Sequence, residues 1–303
     1  MKILVAGLTN IETTLRIDGF PIAYNPVNYP FFGVASTVSG VGINLAKALT
    51  TLGDQVDLLS LTGQDMQYES VKKALEESGV DTRHVLPLIK ETPQSVILYD
   101  PQGKRQIYTD LKDIQEAVYP QDIAIEALKA CDIAALCNIN FSRPLLKKAR
   151  ELGKLVATDV HVLKDIHDAY NSDYMRYANI LFMSHEGMDG DYEGFARKVI
   201  SEYDNDILVI GLGSEGALLY VKKDGFMGRF KAVKTRPIVN TIGAGDSLFS
   251  CFLHYYAKTA DPYLAIKHAI VFASWKIGEK GAAQGFLNEA ELEKLYLEKQ
   301  GEI

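Results

Sequence analysis

Short apolar runs recur along this chain, and each is followed by a polar or glycine-rich loop and then by a segment with helical spacing. Strands buried on both faces appear as continuous apolar runs, and their alternation with helices is typical of a parallel sheet. The sequence therefore predicts an α/β fold with a mainly parallel central sheet flanked by helices on both faces. The runs that predict strands cover residues 3–6, 55–61, 133–137, 155–158, 180–183 and 207–210.

The length and composition of the chain agree with this fold. The chain has 303 residues, of which 47% are hydrophobic and 23% charged, so it can bury the core of one α/β domain. No Pro/Ser-rich linker, internal repeat or low-complexity tract divides it. We therefore expect a single α/β domain over residues 1–303.

Charge and cysteine content exclude several classes of protein. The net charge is -7 and no basic run is interleaved with aromatic residues, which argues against a nucleic-acid surface. The three cysteines are scattered, so they are interpreted as reduced packing residues. The N-terminal apolar run is too short for a signal peptide and no later run is long enough to span a bilayer, so we expect no membrane partner and a cytoplasmic location.

The stretch over residues 237–250 is the strongest candidate for a functional site. Gly243, Ala244 and Gly245 put no large side chain in the way of a ligand, and the apolar residues that follow recur at helical spacing. The first N–H groups of such a helix lack intrahelical acceptors, and the helix dipole adds partial positive charge, which suits a phosphoryl group. Asp246 in the first turn can accept a proton from a hydroxyl, or it can simply complement the dipole. Spacing alone leaves both interpretations open.

Residues 240–246, Asn-Thr-Ile-Gly-Ala-Gly-Asp, resemble the Asp-Thr-x-Gly-Ala-Gly-Asp motif of the ribokinase-like (pfkB) carbohydrate kinase family, with Asn240 in place of the first Asp. The resemblance implies a ribokinase-like three-layer fold with a small β-lid, and ATP-dependent phosphoryl transfer. It also implies that Asp246 is the catalytic base and that the turn over residues 243–245 holds the transferred phosphoryl group.

Two segments, about 12–37 and 93–110, show short alternating strands broken by proline and glycine, and the second has the pattern of a hairpin. Both resemble the β-lid of this family, which covers the sugar and commonly pairs two subunits. Such a cover agrees with the chemistry, because a phosphoryl acceptor site must exclude water. We therefore expect a lid made of these two insertions and a homodimer formed through it.

The resemblance assigns five residues to the substrate. Asn10 and Glu12 follow the first strand at the place of the family's Asn-x-Asp, with Glu for Asp. Gly40 and Asn44 match its Gly-Gly-x-x-x-Asn-x-Ala segment, and an amide can both donate to and accept from a hydroxyl. Arg105 lies on the second lid segment. An exposed loop at residues 10–12 and simple helix capping at residues 39–44 remain the alternative interpretations.

Residues 211–216 spell Gly-x-Gly-x-x-Gly, but the pattern continues as a strand instead of opening a helix, so a dinucleotide fingerprint is excluded. The segment is similar to the family's Thr-x-Gly-x-x-Gly nucleotide loop, which assigns Gly211, Gly213 and Gly216 to ATP. Ser274 falls where relatives often place an Asn near adenine.

Cation sites match the family less well. Ser184 occupies the Asn place of its Asn-x-x-Glu pair and is assigned to the nucleotide, while Glu186, one residue early, is assigned to Mg²⁺ as an oxygen ligand. The loop over residues 281–285 resembles the part that, with the first motif residue, binds a monovalent cation such as K⁺. Asn240 keeps one oxygen for that ion but loses the charge.

These patterns predict an ATP- and Mg²⁺-dependent kinase that phosphorylates a primary hydroxyl of a ribose- or fructose-like sugar. A nucleoside kinase of the same family is the alternative. The departures at Asn240, Ser184 and Gly187 also leave open a degenerate relative that only senses sugar or nucleotide. Asp159 and His161 follow a strand on the same sheet edge, and they are interpreted as ordinary polar residues because the histidines show no metal-ligand spacing.

Overall fold

Two β-sheets organise the chain, whose computed structural model describes residues 1–303. In chain order the strands are β1 (Lys2–Ala6), β2 (Asn10–Arg16), β3 (Val34–Ser39), β4 (Gln55–Gly63), β5 (Val85–Ile89), β6 (Gln94–Tyr99), β7 (Arg105–Asp110), β8 (Ile133–Leu136), β9 (Leu155–Val162), β10 (Ile180–Ser184), β11 (Ile207–Gly211), β12 (Ala217–Val221) and β13 (Phe226–Phe230).

The central sheet has nine strands in the order β13-β12-β11-β10-β9-β8-β1-β4-β5. The pairs from β5 to β11 are parallel, and β12 and β13 close the far edge as antiparallel strands. The other four strands form a separate sheet in the order β3-β2-β6-β7, called the small sheet below.

Nine α-helices connect these strands, and they pack on both faces of the central sheet. Ile3 and Val5 of β1 belong to one buried cluster, and Leu4 and Ala6 belong to the other, because successive side chains in a strand point to opposite faces. The first cluster includes side chains of α1, α2, α7, α8 and α9, and the second includes those of α3, α4, α5 and α6. The helices are α1 (Val41–Thr51), α2 (Met66–Glu76), α3 (Gln121–Ala130), α4 (Arg143–Glu151), α5 (Ser172–Tyr177), α6 (Tyr192–Tyr203), α7 (Ala244–Thr259), α8 (Pro262–Lys276) and α9 (Glu289–Lys299).

Helix α7 is fixed firmly on the sheet. Phe249 and Phe252 are fully buried, and their rings lie 4.8 Å and 5.2 Å from the ring of Phe182 on β10. Burying a side chain of this size contributes about 1.5 to 3 kcal/mol. The helix therefore holds its N-terminus in a defined place.

The small sheet packs over that N-terminus. Ile97 of β6 forms a separate buried cluster with Ile242, just before α7, and with Ala282. The chain enters the small sheet twice, from β1 to β2 and from β5 to β6, and each of these connections is only a few residues long.

The predicted α/β fold with a mainly parallel central sheet is confirmed, and all six predicted strands are present within a few residues. The sequence did not predict four elements: β5, α3, α5 and α9. The segment Ser95–Tyr99 and Arg105–Tyr108 does form a hairpin, whereas residues 17–33 contain no strand. None of the helices combines the length and the apolar character needed to cross a bilayer.

Candidate active site

The N-terminus of α7 is tight on one side and open on the other. Gly243 is the N-cap residue with a φ of 75°, and no side chain caps the helix. A Cβ at Gly243 would lie 2.9 Å from the carbonyl oxygen of Ala282, so glycine is required for steric as well as conformational reasons. A Cβ at Gly245 would meet no atom closer than the carboxylate of Asp159, at 3.9 Å. The turn therefore leaves room for an anion beside the first N–H groups of the helix.

Asp246 lies in the first turn of α7, and its side chain is only partly buried. Its Oδ2 accepts a hydrogen bond of 2.6 Å from the side-chain amide of Asn44. Burial raises the pKa of Asp246, whereas the hydrogen bond from Asn44 and the charge of His161 oppose that rise. The carboxylate is thus neither sealed in the interior nor neutralised by an ion pair, and it remains able to accept a proton.

A chain of hydrogen bonds connects Asp246 to the small sheet. The hydroxyl of Ser39 lies 3.1 Å from Oδ1 of Asn44 and 3.1 Å from Oε2 of Glu12. A hydroxyl carries a single proton, so Ser39 donates to one of these oxygens at a time. Asp246, Asn44, Ser39 and Glu12 therefore form one continuous polar row, called the polar row below.

Several buried oxygens beside the polar row lack a hydrogen-bond partner. They belong to Asn10 (Oδ1), Glu12 (Oε1), Thr9 and Thr37. Asn10 donates its amide to Ser95 at 2.9 Å, which leaves its carbonyl oxygen free. Buried polar atoms are normally paired, because an unpaired one costs about 1 to 3 kcal/mol. Unpaired acceptors clustered near a partly exposed carboxylate are what the hydroxyl groups of a ligand would satisfy.

Glycine at the start of α1 places Asn44 in this row. Gly40 is the N-cap residue with a φ of 105°, and a Cβ there would lie 2.4 Å from the carbonyl oxygen of Leu8. The backbone of Asn44 donates to the carbonyl of Gly40, and its side chain then reaches Asp246 on α7. Gly40 thus sets the backbone, and Asn44 makes the contact.

Asp159 and His161 lie closer to this site than their sequence pattern indicated. The Nδ1 of His161 is 3.6 Å from a carboxylate oxygen of Asp159, and its backbone N–H donates to Asp159 at 2.8 Å. Burial disfavours the charged ring, but Asp159 and Asp246 outweigh it and raise the pKa of His161 to about 9. The interpretation of His161 as an ordinary polar residue missed a cationic ring beside the candidate base. The available signal was its position shortly after the predicted strand over residues 155–158, because ligands of open α/β sheets bind at the carboxyl ends of the strands.

Arg105 extends from the small sheet to the loop that precedes α7. It donates to the hydroxyl and carbonyl of Thr241 and forms an ion pair of 3.2 Å with Glu186. The backbone N–H of Glu186 in turn donates to the hydroxyl of Ser184 at 3.3 Å. In this structure the hydrogen bonds of Arg105 therefore go to Thr241 before α7 and to Glu186 after β10, and its assignment to the substrate remains a prediction.

The glycine loop after β11 closes into a hairpin, as predicted. Gly213 has a φ of 58° and Gly216 a φ of 104°, and a Cβ at Gly216 would lie 2.0 Å from the carbonyl oxygen of Phe230. The carbonyl of Gly211 accepts a hydrogen bond of 2.8 Å from the ring of His185. The hydroxyl of Ser274 is buried and donates to the carbonyl of Val233 at 2.7 Å. Their assignment to the nucleotide remains a prediction.

The surroundings of Asn240 do not fit a monovalent cation. Its Oδ1 accepts from the backbone N–H of Ile242 at 3.0 Å, and its amide donates to the carbonyl of Lys280 at 2.8 Å. The neighbouring carbonyls of Ile242 and Gly281 are approached by the ammonium of Lys276. The oxygens of Asn240, Ile242 and Gly281 therefore already have partners. No group of three or more His, Cys, Asp or Glu side chains is arranged to hold a metal ion.

Comparison with known proteins agrees with the fold described above. Residues 1–290 match the family model described as pfkB family carbohydrate kinase. The chain is 25% identical to a deoxyribokinase of Salmonella typhi, covering 94% of this chain and 95% of the relative. It is 24% identical to a nucleoside kinase of Methanothermobacter thermautotrophicus, over 99% and 96% of the two chains. The solved structure of a microbiome-derived acarbose kinase superposes with a TM-score of 0.86 at 22% identity, over 98% of each chain.

The fold and the family match define a phosphotransferase that acts on an alcohol group. The chain belongs to the pfkB family of carbohydrate kinases.

Proposed function

We propose that this protein transfers the γ-phosphoryl group of ATP to a primary hydroxyl of a ribose- or fructose-like sugar. The observation that carries the proposal is the polar row, which places a partly exposed Asp246 between the open start of α7 and buried oxygens that lack partners. Asn10 and Glu12 would accept hydrogen bonds from the other hydroxyls of the sugar. The acceptor hydroxyl would then lie between Asp246 and the γ-phosphate.

The chain's own residues can perform the remaining steps. Asp246 would take the proton of the acceptor hydroxyl, which makes that oxygen a better nucleophile. The N–H groups of Gly245 and Asp246 would stabilise the charge on the transferred group, and the cationic His161 would add to the field. The small sheet, which packs on Ile242, would keep water away from the reacting atoms.

For the nucleotide, we propose that the loop with Gly211, Gly213 and Gly216, together with Ser184 and Ser274, contacts ATP. Mg²⁺, when bound with ATP, neutralises charge on the phosphates and is held largely by their oxygens. The exposed carboxylate of Glu186 is the residue we assign to it. The proposal does not include K⁺, because the oxygens around Asn240 are already bonded.

A screen for ADP formation tests this function. The purified protein is incubated with MgATP and a set of candidate acceptors that includes ribose, 2-deoxyribose, fructose and several nucleosides. We expect turnover with sugars of the ribose or fructose type. Preferential turnover of nucleosides would instead support the alternative that this protein is a nucleoside kinase, like the relative from Methanothermobacter thermautotrophicus. Saturable binding of a sugar or nucleoside without ADP formation would contradict the proposal and favour a sensor.

The variant Asp246→Asn tests the role of the base. Loss of general-base catalysis typically costs about 10²- to 10⁴-fold in turnover, and we expect kcat to fall within that range. Because the asparagine keeps the shape and still allows MgATP to bind, the Kd for ATP measured by calorimetry should change little. Undiminished turnover in this variant would refute the assignment. Loss of turnover in a variant purified in the same way would also show that the wild-type activity does not come from contaminating kinases.

We also propose that two copies pair through the small sheet, which would then act as a lid. The segment beside it exposes large apolar side chains, among them Tyr24 (93% exposed) and Phe32 (99%), and the strand residues Ile107 and Tyr108 are about half-exposed. Clustered exposure of this kind marks an interaction surface. Light scattering should show a dimer that Phe32→Asp weakens, whereas Leu297→Asp on α9 should leave it intact. A monomeric wild type would exclude the pairing.

A cytoplasmic location is part of the same proposal. It is supported by the need for ATP and by three cysteines that are buried and unpaired.

A further inference from the structure

Lys276, the last residue of α8, has an unusual environment. Its side chain is fully buried, although lysine is seldom fully buried unless it is paired with an acid. The ammonium group donates a hydrogen bond of 2.7 Å to the carbonyl of Gly281 and lies 3.5 Å from the carbonyl of Ile242. A buried charge is costly, so its retention here requires an explanation.

The two carbonyls belong to the two chain segments that form the back of the α7 turn. Ile242 directly precedes Gly243, and Gly281 directly precedes Ala282, whose backbone lies against Gly243. The side-chain amide of Asn240 bonds to the carbonyl of Lys280 in the same place. Lys276 therefore holds together the segments on which the open helix start depends.

The charge of Lys276 also acts on the candidate base. Burial lowers the pKa of Lys276 to about 8, while Glu279, Asp246 and Glu12 raise it and Arg236 lowers it further. In return, the positive charge of Lys276 lowers the pKa of Asp246 and that of Glu12. A cation at this position favours the ionised base and adds positive potential below the turn.

We propose that Lys276 is a positioning residue that supplies a tethered cation to the α7 turn, so that the enzyme needs no bound monovalent metal ion there. Backbone carbonyls are ligands that suit K⁺, and an ammonium group offers the same charge with three N–H donors. The amide at Asn240 fits this arrangement, because a carboxylate is not needed where the cation is covalently attached. This inference rests on the proposed kinase function.

The first test uses the unmodified protein. Turnover is measured in KCl, NH₄Cl, NaCl and choline chloride at equal ionic strength, so that screening is constant. We expect turnover and the Kd for a non-hydrolysable ATP analogue to differ by less than about twofold among the salts. Activation by K⁺ many times above choline would overturn the proposal, and this test does not depend on any variant folding.

The second test removes the tethered charge. Lys276→Ala should lower kcat by about 10- to 100-fold, a smaller loss than the removal of a direct donor to the reacting group. K⁺ or NH₄⁺, but not choline, should restore a large part of that loss and raise the thermal midpoint of the ligand-free variant. Wild-type turnover in Lys276→Ala, or equal behaviour in all salts, would contradict the proposal. If this variant fails to fold, Lys276→Gln keeps a donor without the charge and should show the same loss.

The pH profile separates charge from packing. In the wild type, turnover supported by Lys276 should fall as the pH rises through about 8, whereas Lys276→Gln should lack that step. The folded pKa lies below the ordinary value of 10.5, so loss of the proton relieves the cost of burial and does not weaken the fold between these pH values. Thermal unfolding should therefore show no matching loss of stability from this group. An identical alkaline profile in both proteins would argue for a purely structural lysine.

The readouts also distinguish this inference from the kinase function. If no acceptor is phosphorylated, the function fails, but the thermal midpoints and the affinity for the ATP analogue still report on Lys276. If turnover is present and requires K⁺ in the wild type, only the inference about Lys276 fails.

Discussion

The protein has two glycine-rich turns, at residues 243–245 before α7 and at residues 211–216 after β11, and glycine is needed for a different reason in each. At the start of α7, Gly245 adjoins open space, and the helix that follows leaves N–H groups free. In the loop after β11, Gly216 has a φ of 104° and lies directly against the backbone of β13, and a hairpin follows. Glycine at the first turn therefore keeps room for a ligand, whereas glycine at the second makes room for the protein itself.

Among substitutions of glycine in the two turns, the largest effect on activity should come from filling the open turn. Gly245→Val places a branched side chain where we expect the phosphoryl group, and displacement of the reacting group by about 1 Å can cost about 100-fold in rate. We expect kcat/KM for ATP to fall by that order, with Gly245→Ala intermediate. In Gly245→Ala, stability should hold or rise by up to about 1 kcal/mol, because glycine within a helix is unfavourable relative to alanine. Near-normal kinetics in the valine variant would mean that the turn does not hold the phosphate.

At the second turn, substitution of glycine should lower the stability of the fold. Gly216→Ala would add a Cβ that clashes with the carbonyl of Phe230 and would strain a residue with positive φ, at a combined cost of about 2 to 4 kcal/mol. Urea unfolding measures this loss. Gly225→Ala is the matched control, because Gly225 also has positive φ, at 69°, but its Cβ would meet no atom within 4 Å. Equal losses in the two variants would show that the close approach to β13 does not matter.

A smaller effect concerns the pH dependence at the open turn. The Asn44 amide favours the ionised form of Asp246, so its removal in Asn44→Ala should raise the pKa of Asp246 further. A base must be deprotonated to act, so activity is lost as the pH falls through this pKa. The acidic limb of the kcat/KM profile should therefore move to higher pH in Asn44→Ala and stay in place in Asn28→Ala, which alters an exposed amide. A limb that moves to lower pH would contradict the assigned base.

The smallest effect is expected at Arg105, which links the loop before α7 to Glu186 after β10. Arg105→Gln breaks a partly exposed ion pair with Glu186 and a contact with Thr241, and such pairs contribute about 0 to 1 kcal/mol. We expect kcat to fall less than about tenfold with little change in thermal midpoint. Arg83→Gln, which breaks an exposed pair with Asp81, controls for the loss of charge alone. A loss as large as that of Gly245→Val would place Arg105 on the reacting phosphate.

The sequence was sufficient for the parts of this protein that depend on local pattern. Apolar runs of strand length, the helical spacing after Gly245 and the continuation of a strand after Gly216 predicted the sheet and distinguished the two turns. These features succeed because steric and periodic constraints act between residues that are neighbours in the chain. Short elements such as α5, with 6 residues, carry too little pattern to be predicted this way.

Contacts between distant residues depend instead on the packing of the folded chain. Asn44 and Asp246 are 202 residues apart, and only the packing of α1 beside α7 brings the amide to the carboxylate. The roles of Ser39 and His161 likewise depend on which charges surround them, and Lys276 gives no sign in the sequence that its ammonium will be buried against two carbonyls. Electrostatic interactions depend on distance and burial, which the order of residues does not state. The amino-acid sequence was therefore enough to predict the glycine-lined start of α7, whereas the side chains that set the charge around it are assembled only by folding.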